Sequence, residues 1–199
     1  MNNIRPMRSH DVESVLQVHM DAFQGFFLTF LGPSFLREFY LGVCEDPSGI
    51  ALVHGDDPVS GFVVGTVEPS GFSRRLIQKR WWKFGYASIK PMIQKPSIIP
   101  RLLRAFTLPA DVSNSQPGAG TLMSLAVRST CQGQGIGKQL VSAFLENSRK
   151  RQIEVVHLTT DAIDNEATNE FYLKMGFACA KTFATPEGRL MNEYVICVL

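Results

Sequence analysis

The stretch Leu125-Ala126-Val127-Arg128-Ser129-Thr130-Cys131-Gln132-Gly133-Gln134-Gly135-Ile136-Gly137-Lys138 has the residue types and order to hold an anion. An apolar strand runs into a turn with three glycines in five residues, and the turn opens a helix. The first turn of a helix carries N–H groups with no intrahelical partner, and the helix dipole adds partial positive charge at the same end. Glycine adopts positive φ without a Cβ penalty and lets the backbone come close to a ligand. These features together describe a seat for phosphate or pyrophosphate. A tight strand-to-helix turn without a ligand would use the same residues. The spacing is neither the dinucleotide pattern Gly-x-Gly-x-x-Gly nor a P-loop ending in Gly-Lys-Ser/Thr.

A second stretch, Asn165-Glu166-Ala167-Thr168-Asn169-Glu170-Phe171-Tyr172-Leu173-Lys174-Met175-Gly176-Phe177, reads as a short helix closed by a glycine cap. Gln132-x-x-Gly135-x-Gly137 resembles the pyrophosphate-binding motif Gln/Arg-x-x-Gly-x-Gly/Ala of the GNAT (N-acetyltransferase) superfamily. The run from Asn165 to Phe177 is similar to that superfamily's Asn…Tyr-x-Lys-x-Gly-Phe signature, and the two motifs occur in the family's order. The resemblance is weak over 1–68 and good over 118–199. It implies an enzyme that uses acetyl-CoA as co-substrate to acetylate a primary amine, and a mixed, mostly antiparallel α/β (α+β) sheet flanked by helices. Carried over by position, Leu125, Ala126 and Val127 offer backbone groups to the pantetheine arm. Gln132, Gly133, Gln134, Gly135, Ile136, Gly137 and Lys138 cradle the pyrophosphate, Asn165 hydrogen-bonds the cofactor, and Tyr172 points its hydroxyl at the thioester sulfur. Plainer roles stand beside these: Asn165 as a helix N-cap, Tyr172 as a core aromatic, Lys138 as a solvated helix residue.

Acyl transfer from a thioester to an amine needs a neutral amine, a stabilised oxyanion and a protonated leaving thiolate. A tyrosine, with a pKa of about 10, can donate toward a thiolate whose acid has a pKa of about 8.5. A backbone N–H on the strand ending at Val127 suits the oxyanion. Many members of the resembled family carry a carboxylate on the strand before the loop, and here 118–127 holds no Asp or Glu. Glu68, at the end of the preceding strand, is the leading candidate for the base, followed by Asp161 and His19. A base acting through water is an alternative. His10 and His54 are isolated and read as structural or solvated. No metal set is expected.

Around these residues, hydrophobic periodicity and turn chemistry give a strand near 3–7, helices over 12–23 and 34–43, and a hairpin over 50–68. Strands follow near 121–128 and 155–160, helices over 135–151 and 165–175, and a final strand pair over 177–184 and 191–198. Ser9 or Asp11 is positioned to cap the first helix. Residues 69–117 break the pattern and read as a helical insertion in a single domain. Between Pro69 and Ala110 lie nine basic residues and no acidic one: Arg74, Arg75, Lys79, Arg80, Lys83, Lys90, Lys95, Arg101 and Arg104, interleaved with Trp81, Trp82, Phe84 and Tyr86. A solvated face, capture of an anionic acceptor such as a phosphate-bearing amino sugar or nucleotide-sugar, and peripheral contact with an anionic membrane all fit this composition.

The 199 residues are 45% hydrophobic and 19% charged, with a net charge of +2, a globular composition that does not point to nucleic acid as a partner. The N-terminal residues lack the apolar core of a signal peptide, and the four scattered cysteines suit thiols in a reducing compartment. Cytoplasmic residence is the expectation, with a small-molecule amine, neutral or anionic, as acceptor. A homodimer is compatible with the family resemblance. A non-catalytic acyl-CoA-binding module and a protein N-acetyltransferase are the alternative readings.

Overall fold

The computed structural model describes residues 3–25, 27–94 and 118–198. Nearly half of the expected insertion, 95–117, lies outside them. The elements are β1 (Ile4–Pro6), α1 (Val12–Ala22), α2 (Phe27–Phe30), α3 (Gly32–Glu45), β2 (Gly49–His54), β3 (Gly61–Thr66), α4 (Pro69–Gln94), β4 (Ala119–Val127), α5 (Ile136–Lys150), β5 (Val155–Asp161), α6 (Glu166–Lys174), β6 (Ala178–Ala184) and β7 (Leu190–Cys197). The seven strands form one sheet in the order β1-β2-β3-β4-β5-β7-β6. All neighbours are antiparallel except β4 and β5. That exception follows from the connection: a parallel pair needs a crossover, and α5 supplies it.

Both faces of the sheet are covered. On one, α1 and α3 bury Val12, Val15, Leu36 and Tyr40 against Phe62 and Val64. On the other, Leu140 and Phe144 of α5 pack with Leu122, Val156 and Tyr194. The second packing is close. A Cβ on Gly65 would lie 2.6 Å from the Phe144 ring and 2.2 Å from the Thr121 carbonyl, so only glycine fits there. Asp11 does precede α1, but its side chain makes no capping bond. It accepts two hydrogen bonds of 2.7 Å from the Arg5 guanidinium and one of 2.7 Å from the Arg8 N–H, which ties β1 to the turn before α1.

The described part of the insertion is helical, as expected. Its dihedrals leave the helical region at Ser70, Gly71 and Arg80, so α4 runs as two halves. It packs along α3 through Phe72, Leu76, Phe84 and Ala87, all buried. Two of the expected recognition cations have structural roles here. Arg80 is 6% exposed and bonds Glu38 and Glu45 of α3. Arg75 donates to Asp46 at 2.9 Å and to Ser48 at 2.8 Å. Buried cations without such partners would be costly, so these pairs fix the seat of α4.

Candidate active site

β4 and β5 pair only from Ala119 to Thr121 against Val155 to His157. Beyond that they separate. The separation coincides with a bulge on β4: Val64 faces Ser124 and Gly65 faces Leu122, leaving Met123 as the extra residue. A wedge-shaped cleft opens between the strands. At its far end stands the N-terminus of α5, behind Gly133 (φ 77) and Gly135 (φ 76), conformations that favour glycine. The first intrahelical bond is Gln139 N–H to Gly135 C=O. The amides of Ile136, Gly137 and Lys138 therefore have no partner within the helix and are available to an anion.

The cleft holds two adjoining cavities. The larger, of about 720 Å³, is lined by Leu125, Ala126, Val127, Gln132, Gly133, Gly135, Ile136, Gly137 and Lys138, and by Tyr172. Nearly all of the residues expected around a cofactor thus meet at one surface. Gln134 and Asn165 do not line it. The opposite wall, Ala167, Thr168, Phe171, Lys174 and Met175 of α6 and its end, was missing from the sequence reading. Its signal was present: positions 167, 168, 171, 174 and 175 repeat at the spacing of one helical face.

Backbone alternation sorts the β4 residues. Arg128 donates its N–H to Ser60 beside β3, and Ala126 pairs with Phe62. With a period of two, Leu125 and Val127 turn their N–H and C=O groups to the open edge. They can pair with an extended arm in the cleft, whereas the backbone of Ala126 is committed to β3.

The smaller cavity, of about 240 Å³, is lined by Phe23, Met123, Ser124, Leu125, Thr160, Asp161, Asn165, Tyr172 and Met191, among others. Asn165 belongs here, with its amide 3.4 Å from the Asp161 carbonyl, and it makes no side-chain cap on α6. Tyr172 lies between the two cavities and lines both. It is 5% exposed, set among Phe171, Phe177 and Tyr194. Burial pushes its pKa above the ordinary tyrosine value, so it stays a hydrogen-bond donor at neutral pH.

Ser124 connects this cavity to a buried polar chain. It stands next to the Tyr40 hydroxyl, which lies 2.6 Å from His19 Nδ1. His19 Nε2 is 3.5 Å from Thr29 Oγ1, and Thr29 donates to the Phe23 carbonyl at 2.6 Å. His19 is 2% exposed, and desolvation lowers its pKa to about 4. It is therefore neutral at pH 7, and one assignment satisfies every member. Tyr40 donates to Nδ1, and the Nε2–H faces Thr29. Ser124 lines the smaller cavity beside this chain.

The two carboxylates considered as bases fare differently. Both oxygens of Asp161 are held by Arg189 at the rim of the smaller cavity. Glu68 lines neither cavity. It follows Thr66, which pairs with Thr121, while the cleft lies toward Val127. It continues past Thr66 in the direction away from Val127, so it leaves the sheet at the end opposite the glycine-rich turn. Its carboxylate lies 3.1 Å from Arg75 Nη1.

The split parallel pair, the β4 bulge and the glycine-rich helix opening together form one cleft that ends on the unpaired amides of a helix. The sequence pattern of the Acetyltransferase (GNAT) family matches residues 13–177, and the chain belongs to that family of acetyltransferases. No curated protein sequence matches it. Among solved structures, Ard1 from Thermoplasma volcanium is 17% identical over 98% of this chain and 97% of its own, with a TM-score of 0.63. A ribosomal-protein-alanine N-acetyltransferase from Brucella melitensis is 16% identical over 98% of both chains, with a TM-score of 0.64. An aminoglycoside 6'-acetyltransferase type Ii is 14% identical over 98% and 97%, with a TM-score of 0.62. At such identities the likeness is one of fold. Acetyl-CoA is the acyl donor general to the family.

Proposed function

We propose that this protein transfers an acetyl group from acetyl-CoA to a primary amine of a small molecule, by direct attack within the β4–β5 cleft. The observation that carries the reading is the meeting of three features in one cleft. They are the free amides of Ile136, Gly137 and Lys138, the open edge of Leu125 and Val127, and the Tyr172 hydroxyl. In this reading the helix amides hold the pyrophosphate, as the chemistry of unpaired N–H groups favours. The open edge of β4 takes the pantetheine arm as an added strand. The N–H of Leu125 or Val127 stabilises the tetrahedral oxyanion.

Tyr172 donates its hydroxyl hydrogen bond to the departing thiolate. Ser124 takes Glu68's place in the reading: its outward lone pairs accept a hydrogen bond from the acceptor amine and orient it for attack. The amine proton leaves to water in the smaller cavity. A histidine with a pKa of about 4 is too weak a base to keep that proton, so the Tyr40–His19 pair acts by fixing the direction of the Ser124 hydroxyl. The test is thiol release from acetyl-CoA in the presence of an amine panel containing amino sugars, aminoglycosides, amino acids and peptides with a free α-amino group. Amine-dependent release with matching acetylated product supports the proposal. Tight acetyl-CoA binding by calorimetry with no release for any amine would favour a binding module instead.

A further inference from the structure

Away from the cleft, α4 carries a surface that acetyl transfer does not use. The chain has two tryptophans, Trp81 and Trp82, and they are 67% and 59% exposed on the second half of α4. Tyr86, one turn on, is 79% exposed. With 3.6 residues per turn, these three share a side with Gly85. Phe84 and Ala87 are buried on the other side, and the Phe84 ring centroid lies 4.8 Å from that of Phe35. The helix is thus docked by one face and presents contiguous aromatics on the other. Large exposed apolar patches are uncommon on proteins that meet only water. Tryptophan and tyrosine pair an apolar ring with a polar tip, which suits the boundary between lipid headgroups and acyl chains.

Charge narrows the partner. α4 contains no Asp or Glu. The acidic groups packed beside it, Glu38, Glu45, Asp46 and Glu68, face Arg75, Arg80 and Lys83. Arg74 and Lys79 are exposed and have no ion-pair partner among the described residues. The Lys83 ammonium lies 5.5 Å from the centre of the Trp82 ring. Cations beside interfacial aromatics match anionic headgroups. Single-stranded nucleic acid also stacks on aromatics, but in grooves that track its backbone. Here the aromatics stand on the outer side of a helix packed over α3.

We propose that the exposed side of the second half of α4, with Trp81, Trp82 and Tyr86, docks the protein on an anionic lipid surface, that half lying in the headgroup plane and the exposed cations Arg74 and Lys79 of the first half meeting the headgroups. No helix among the described residues is long and apolar enough to cross a membrane, so this contact is peripheral. Both tryptophans lie on this one face, so their fluorescence reports it alone. The full-length protein is titrated with vesicles of phosphatidylcholine alone and of phosphatidylcholine mixed with phosphatidylglycerol. The expected result is a blue shift of tryptophan emission and co-sedimentation with the anionic vesicles, weakened by salt, and neither with phosphatidylcholine alone. The double variant Arg74→Glu/Lys79→Glu should weaken co-sedimentation about ten-fold or more, and Trp81→Ser/Trp82→Ser should abolish it. Circular dichroism and acetyl-CoA affinity should stay at wild-type values in both. Emission unmoved by anionic vesicles overturns the proposal. So does a shift produced by a single-stranded oligonucleotide but not by lipid. A shift that follows protein concentration alone, with dimers in the ultracentrifuge, does the same. None of these readouts depends on the acceptor or on turnover.

Discussion

Tyr172 and Ser124 face the same cleft, and the proposed mechanism gives them opposite hydrogen-bonding characters. Tyr172 is the donor, with a phenol that burial keeps protonated. Ser124 is the acceptor, with its own proton directed at the neighbouring Tyr40 hydroxyl. The two residues should therefore fail in different ways. In the proposed mechanism Tyr172→Phe removes a donor needed only as the thiolate forms, so kcat should fall by about 10²-fold with acetyl-CoA affinity unchanged. On the same proposal Ser124→Ala removes an acceptor that holds the amine, so the loss should appear mainly as a raised amine KM, on the order of ten-fold. Steady-state kinetics with the best amine of the panel, paired with calorimetry for acetyl-CoA, separate the two. Equal and purely kcat effects would mean that Ser124 does not touch the amine.

The split between β4 and β5 is the element on which the site depends. A continuous parallel pair would saturate the open edge and close the cleft. The bulge at Met123 and the short pairing over Ala119 to Thr121 keep it open. The glycine-rich opening of α5 then sets how near an anion comes. Gly135 has φ 76, so any side chain there strains the turn itself. Gly137 is the cleaner probe. Its φ is not in the left-handed region, and an added Cβ would make only ordinary contacts, 3.6 Å from Phe171 and 3.8 Å from Val127. Gly137→Glu should keep its circular dichroism spectrum and melting behaviour while losing acetyl-CoA affinity by at least about 10²-fold, because a carboxylate then competes for the same amides. Wild-type affinity in a folded Gly137→Glu protein would remove the anion seat from α5.

At the scale of the whole molecule, the buried His19 ties the active-site chain to stability. Its pKa falls from the ordinary 6.5 to about 4 on folding because burial disfavours the imidazolium. Between those values the unfolded chain binds a proton that the native protein does not. Stability therefore drops as pH falls from 6.5 and levels near 4, by on the order of 3 kcal/mol in all. Asp11 and Asp46 have pKa values lowered from 3.8, and their contributions are lost only below that range. Urea unfolding at a series of pH values should show the slope between 6.5 and 4, and His19→Gln should flatten it whatever its effect on stability at pH 7. An unchanged slope in that variant would mean that another group takes up the proton.

By itself the sequence determined the parts whose chemistry is local. The anion seat is one uninterrupted run, Gln132 to Lys138, in which glycine spacing and helix opening are written side by side. Tyr172 stands at a fixed place within one short helix, and the order of strands and helices follows from periodicity and turns. Tertiary structure decided everything that depends on strand direction and on side chains meeting across the fold. Glu68 is next in sequence to the sheet's central strands, yet β3 runs antiparallel to β4, which carries it to the end away from the cleft. Asn165 opens α6 but faces the smaller cavity. The Tyr40–His19 hydrogen bond joins α3 and α1 beside Ser124 of β4, residues that no spacing rule connects, because only the burial of α1 and α3 on one face of the sheet brings their polar groups together.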